Sequence, residues 1–317
     1  MKWTYLIHLG INMWKGPLGD SGPLGFYTEE LVTDHKVWRE TIEFLAKQGV
    51  NTLIIDVAEA LQYESHPELA TRGAWSKEFL KKELDYIRSL GITPIPKLNF
   101  STLHDSWLKE YSLMVSTPTY YQVVDDLIKE VGEVFDTPEY FHIGMDEEAY
   151  NPYLPFWYID MQVKQGQTVV RPNKLFWEDL KYIASSVEKH GMNVWTWGCM
   201  IWVFPEETLK NLSKDWLISN ACYRQLRNPQ ILTDYNRAAI DGYYLFAKHG
   251  FKQVPTCMHV PSMNLEDTMF ILKDQPNIEG YMMAPWVRTR EIDLACHKAA
   301  GKLMGHAISK YNGGAYK

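Results

Sequence analysis

Eight runs of mostly apolar residues, each eight to eleven long, recur along the chain, and each is trailed by a stretch with apolar residues three and four apart. A strand-length run followed by an amphipathic helix makes parallel strands neighbours, because the helix carries the chain back across the sheet before the next strand begins. The runs are "WTYLIHLGI" (3–11), "NTLIIDVAE" (51–59), "ITPIPKLNF" (92–100), "YFHIGMDEEAY" (140–150), "NVWTWGCMI" (193–201), "WLISNACY" (216–223), "QVPTCMHV" (253–260) and "IEGYMMAPW" (278–286). The helical stretches carry their own punctuation: "DHKVWRETIEFLAKQG" has Asp34 as N-cap and Gly49 as stop. Eight βα units predict an α/β fold of the TIM type, a (β/α)8 barrel built as a single domain from residues 1–317. An open, doubly wound sheet competes with it, but no Gly-x-Gly-x-x-Gly turn follows the first strand, so its dinucleotide-binding form lacks its main signature.

A barrel of this kind carries its active site at the C-terminal ends of the strands and in the loops after them. That rule selects Asn12 and Trp14, Asp56 and Glu59, Asn99 and His104, then Asp146, Glu147 and Glu148 on the first four units. On the last four it selects Trp197 and Trp202, Tyr223 and Arg224, His259, and Trp286. The long loop 13–27 belongs to the same rim.

Composition excludes some partners. The net charge of -7, with no basic run, argues against a nucleic-acid surface, and no apolar stretch reaches the length of a membrane span. Cys199, Cys222, Cys257 and Cys296 have no metal-ligand spacing and read as buried free thiols. A metal site from Asp146, Glu148 and His259 ranks low for the same reason, and no cofactor is expected. The opening "MKWTYLIHLGINMW" has no small-residue cleavage site and reads as a first strand; compartment, including export after loss of a leader, and oligomeric state stay open. Twelve Trp and 19 Tyr supply flat faces with a polar handle, which suit sugar rings as well as a core.

The fourth run raises a sharper question, because Asp146, Glu147 and Glu148 stand together where an alternating strand ends. Crowded carboxylates repel, and burial raises the cost of ionising each, so such a cluster is either solvated or used. Alternation sends Phe141, Ile143 and Met145 toward the outer helices and His142, Gly144 and Asp146 into the barrel, with His142 an interior histidine. Glu147 joins Asp146 over the mouth only if the backbone bends just after Met145. Glu148 reads as a solvated first loop residue.

"HIGMDE" resembles the His-x-Gly-x-Asp-Glu signature of the glycoside hydrolase family 20 β-N-acetylhexosaminidases, found at the end of the fourth strand of a (β/α)8 barrel. "PIPKLNFSTLH" is similar, more distantly, to the family's Pro-Glu-x-Asp-x-Pro-Gly-His segment, with Asn99 near its Asp and His104 near its His. The resemblance implies a carbohydrate substrate and retention with substrate assistance. Glu147 would be the general acid and then base, and Asp146 the ionised group that orients the 2-acetamido group, with Glu147 holding a proton near neutral pH. It also implies an aromatic pocket with a helping tyrosine, for which Trp197, Trp286 and Tyr223 are placed by strand position, and a contact between His104 and Asp56.

The sequence departs from the family in three ways. "HLGINMW" lacks the arginine that usually ends the first strand, the eighth strand reads Trp286-Val287-Arg288 in place of Trp-x-Glu, and the small domain that usually precedes the barrel has no counterpart. A different terminal sugar, a substituted amino sugar or an internal cleavage position would fit these losses. Two alternatives stand beside the hexosaminidase reading. One is an ordinary retaining glycosidase with its nucleophile on another strand, for which Tyr223, His259 and Trp286 at the last strand ends offer no acid. The other is a non-catalytic carbohydrate-binding barrel.

Overall fold

The computed structural model describes residues 1–13, 27–148, 169, 171 and 173–315. Eight βα units follow one another. The strands are β1 (Lys2–His8), β2 (Thr52–Asp56), β3 (Thr93–Lys97), β4 (Tyr140–His142), β5 (Asn193–Trp197), β6 (Leu217–Ser219), β7 in two pieces (Lys252–Gln253 and Thr256–Cys257) and β8 (Gly280–Met283). The helices that follow them are α1 (His35–Lys47), α2 (Lys77–Ser89), α3 (Pro118–Val134), α4 (Asn173–Lys189), α5 (Pro205–Asn211), α6 (Asp234–Lys248), α7 (Asn264–Leu272) and α8 (Leu294–Asn312).

All strand pairs are parallel, and the sheet closes on itself. β1 lies between β2 (His8 opposite Asp56) and β8 (Lys2 opposite Gly280). β7 bridges the remaining gap: Gln253 pairs with Ile218 of β6, and Cys257 with Met283 of β8. The break inside β7 has a simple cause. Pro255 has no N–H to give, yet its carbonyl still accepts from Met282 N–H at 2.9 Å, and Val254 N–H still reaches Ile218 at 2.9 Å.

Alternation along the strands sorts the apolar side chains into two shells. Leu6, Ile54, Ile95, Trp195, Leu217 and Met282 fill the barrel interior. Ile7, Leu53, Ile55, Phe141 and Ile143 pack outward against Trp38, Leu84, Val123 and Leu127 of the helices. The helices begin where the sequence offers caps. Asp34 accepts from the N–H groups of Lys36 and Val37, Thr117 precedes Pro118, and Thr233 and Asn236 form a reciprocal capping box.

The interior is not apolar throughout. His8, Asp56, Lys97 and His142 are register partners on four successive strands and form one buried layer. Lys97 is fully buried and donates to Asp56, which also faces Nδ1 of His8 at 3.5 Å. A buried cation is tolerated only with such a partner.

Candidate active site

The fourth strand is shorter than its apolar pattern suggests. The strand ends at His142, Ile143 and Gly144 keep backbone bonds to Trp195 and Trp197 of β5, and the backbone turns through left-handed conformations at Gly144 (φ 71°), Met145 (φ 65°) and Glu147 (φ 59°). Gly144 is required twice over. A side chain there would be strained, and its Cβ would lie 2.0 Å from Oδ1 of Asn99. Asn99, from the end of β3, clamps the turn. Its Oδ1 accepts N–H groups from Met145 and Ser101, and its Nδ2 donates to Asp146 at 2.9 Å. Ser101 Oγ adds a 2.5 Å bond to the carbonyl of Asp146. His142 Nδ1 accepts from Gly144 N–H at 3.1 Å, and burial holds its pKa well below the usual histidine value.

This bend brings Asp146 and Glu147 to one cavity of about 340 Å3 at the C-terminal mouth of the barrel. His104, on the β3–α3 connection, stands between them, with Nε2 3.3 Å from Glu147 and 3.5 Å from Asp146. Asp146 is buried, whereas the Glu147 side chain is 37% exposed. Burial alone would lower His104, but the Asp146 charge and the hydrogen bond to Glu147 lift it to about 9, so it is a cation at neutral pH. Burial, with Glu147 alongside, raises Asp146 above the carboxylate range. Burial pushes Glu147 the same way, but the hydrogen bond and charge of His104 outweigh it and hold Glu147 below the range.

Those directions correct one expectation. The directions, Asp146 raised and Glu147 lowered, are the reverse of those expected for an ionised Asp146 beside a protonated Glu147. The reason is positional: the imidazolium donates to the more exposed acid, and the more buried one carries the desolvation cost.

Glu148 also differs from its expected solvated state. It is buried and paired with Arg171, whose Nε donates to it at 2.7 Å, and it accepts from Thr102 N–H at 2.7 Å. Arg171 also reaches Asp179 of α4 at 2.7 Å. Of the three consecutive acids, Asp146 is held by the amide of Asn99 and shares the imidazole of His104 with Glu147, and Glu148 is held by the guanidinium of Arg171. Glu148 anchors the turn.

Asn99, His104, Trp197, Tyr223 and Trp286 line the cavity, and Asp56 does not. Asp56 lies one layer below, bound to Lys97 and near His8, so the expected coupling of Asp56 to His104 is replaced by Asp56–Lys97 and by His104 with the two acids. The wall opposite the acids is aromatic. Trp197 and Trp286 lie 5.9 Å apart, Tyr223 meets Trp286 edge-on at 6.4 Å, and Trp202 meets Tyr235 edge-on at 5.0 Å. Burial pushes the Tyr223 hydroxyl well above the usual tyrosine pKa, so it is a neutral donor.

Other rim residues have structural tasks. Asn12 is buried against Thr28, exchanging bonds of 2.8 and 2.9 Å. Glu59 accepts from Ile11 N–H at 2.7 Å, and burial raises it to about 7. His259 is not in the lining, and Trp14 lies outside the described residues. Cys199, Cys222 and Cys257 are buried free thiols as expected, and Cys296 is partly exposed. Among the described residues no group of three His, Cys, Asp or Glu side chains is placed to hold a metal, and no helix is long and apolar enough to cross a membrane.

Strand-end reasoning missed Tyr235 and Asn236, which enter the lining from the N-terminus of α6. The Thr233 capping box is the signal that fixes that helix start. It missed Lys97 too, although a charge at an inward position of "PIPKL" marks a buried ion pair.

Comparison with known proteins follows the same residues. The family model described as glycosyl hydrolase family 20, catalytic domain, matches residues 95–227, which span β3 through β6 and contain Asn99, His104, Asp146, Glu147, Trp197 and Tyr223. Among curated proteins, none matches the chain in sequence. Of the solved structures, an exo-β-N-acetylglucosaminidase from Vibrio harveyi in complex with N-acetylglucosamine aligns with a TM-score of 0.60 and 15% identity, over 98% of this chain and 56% of that one. A β-N-acetylhexosaminidase from Streptomyces coelicolor A3(2) aligns with a TM-score of 0.62 and 13% identity, over 95% and 63%. One from Bacteroides fragilis aligns with a TM-score of 0.59 and 14% identity, over 98% and 69%. The likeness is one of fold, and the chain spans less than two thirds of the length of the Vibrio and Streptomyces proteins.

Proposed function

We propose that this chain, which carries the family 20 catalytic-domain pattern across β3–β6, is a glycosidase whose residues 1–317 form one catalytic barrel acting on β-linked N-acetylhexosaminides with retention. The observation that carries the reading is the pairing of Asp146 and Glu147 around His104 at one cavity, where they are the two carboxylates among its described lining residues. An ordinary retaining enzyme needs a second, separate carboxylate as nucleophile about 5–5.5 Å from the acid. Two chain neighbours held by one imidazole suit a different division of labour.

In the first step the N–H of the substrate's acetamido group donates to Asp146, and the acetamido oxygen forms a bond to the anomeric carbon. The bond from that carbon to the leaving oxygen breaks, and Glu147 gives the leaving oxygen its proton. In the second step Glu147, now a carboxylate, takes a proton from water. The water oxygen bonds to the anomeric carbon, the bond to the acetamido oxygen breaks, and the amide is restored. Two inversions give net retention.

Substrate also resolves the proton's position. An acetamido N–H on Asp146 stabilises its carboxylate, and a sugar against Trp197 and Trp286 shields Glu147 from water. Both effects favour a charged Asp146 and a proton on Glu147, where the leaving group needs it.

Hydrolysis of an aryl N-acetyl-β-glucosaminide tests the reading. The expected result is measurable turnover, lost in Glu147→Gln and blocked by a thiazoline that mimics the cyclised intermediate. Equal cleavage of an aryl glucoside without the acetamido group would instead support the ordinary mechanism. A carbohydrate-binding barrel without catalysis is favoured by the missing first-strand arginine, and sugar binding with no turnover of any aryl glycoside would support it.

A further inference from the structure

The cavity has one Arg or Lys among its described lining residues, Arg224, just after β6 and Tyr223. Arg227 and Arg290, by contrast, have carboxylate partners, Asp267 at 2.7 Å and Asp293 at 3.2 Å. Arg224 is exposed, and among the described residues its guanidinium bonds to the carbonyl of Tyr223 at 2.9 Å and to no carboxylate. It lines the cavity together with Cys222 and Tyr235.

A guanidinium presents a planar fork of donors that matches carboxylate, sulfate or phosphate oxygens, and a neutral sugar ring offers it no such partner. The first strand supplies no cation either; it leads to Met13, which also lines the cavity. We propose that Arg224 selects N-acetylhexosaminides that carry an anionic substituent, a sulfate or a carboxylate, on the sugar held in the cavity. The proposal rests on the glycosidase reading for the sugar class, but the anion preference is tested by binding alone. In the protein as a whole, with its net charge of -7, Arg224 at the mouth also gives such a ligand a local attraction against an otherwise repulsive field.

Calorimetric titration with N-acetylglucosamine, its 6-sulfate and its 3-O-lactyl ether tests this on the intact chain and on Arg224→Gln and Arg224→Lys. At least one anionic sugar is expected to bind roughly ten-fold or more tighter than the neutral one, and which of the two does so identifies the anion. That ratio should fall to near one in Arg224→Gln, survive in part in Arg224→Lys, and shrink as salt is raised. Equal binding of all three sugars, binding of none, or a preference that survives Arg224→Gln overturns the proposal. Turnover of neutral aryl N-acetylglucosaminide without any anion preference would remove the Arg224 proposal and leave the glycosidase reading standing.

Discussion

The two halves of the barrel mouth are built from different materials. The β1–β4 half is ionisable at two levels: His8, Asp56, Lys97 and His142 form the lower layer, and Asn99, His104, Asp146 and Glu147 stand above it. The β5–β8 half is aromatic, with Trp195 and Leu217 inside and Trp197, Trp202, Tyr223 and Trp286 at the mouth. In the first half the charges are held by specific partners, Asp56 by Lys97 and the two acids by His104, so geometry is enforced by the cost of leaving a charge alone. In the second half, contact area and shape hold the ligand, and replacement is graded. On the proposed function, chemistry belongs to the first half and grip to the second.

Substitutions can break that contrast. The largest effect is expected from Glu147→Gln, which keeps the side-chain shape but cannot donate and regain the proton. Loss of a general acid–base group costs roughly 10^2–10^4-fold in kcat, read from initial rates on an aryl N-acetylglucosaminide, with KM little altered. Next comes Asp56→Ala, outside the cavity. It strands the buried Lys97 and should lower stability by about 3–5 kcal/mol in urea unfolding. An Asp56→Ala variant as stable as the parent would deny that the lower layer is held by its ion pair. On the other half, Trp286→Ala should act mainly on KM, raising it by roughly ten-fold as a stacking face of about 1–3 kcal/mol is lost, while kcat changes less. A kcat loss as large as that of Glu147→Gln would erase the division between the halves.

The smallest effects are in pH. His104 should titrate near pH 9 by imidazole NMR. Its folded pKa lies above the unfolded value of about 6.5, so the stability it contributes is complete below that value and is lost as pH rises through about 9. In Glu147→Gln the midpoint should move down, since one of the groups that raise it is gone. The alkaline limb of kcat/KM, which reports the free enzyme, should lie at lower pH than that of kcat, because His104 holds Glu147 down until a bound sugar shields it from water.

Much of this was readable from short-range pattern. The eight βα units, the Asp34 cap, the outward facing of Phe141 and Ile143 and the bend after Met145 are local consequences of alternation, helix periodicity and a glycine. Where the sequence reading went wrong, the deciding contact was set by register or by a distant residue. Glu148 looked solvated because its partner, Arg171, lies 23 residues away. Asp56 looked like a site residue because nothing local says that it sits opposite Lys97. The opposite pKa directions of Asp146 and Glu147 depend on which acid is more buried and which lies nearer His104, and neither is a property of the motif. Tyr235 belongs to a helix start, where a rule about strand ends does not look.

The central claim is that the substrate's own acetamido oxygen is the nucleophile, oriented by Asp146. Its most direct test is a series of aryl glucosaminides in which the N-acetyl group carries zero to three fluorine atoms, each step making that oxygen a poorer nucleophile. kcat/KM is expected to fall steadily with each fluorine across the series, because attack by that group is in the rate-limiting transition state. A rate that does not change from the acetyl to the trifluoroacetyl substrate would contradict it.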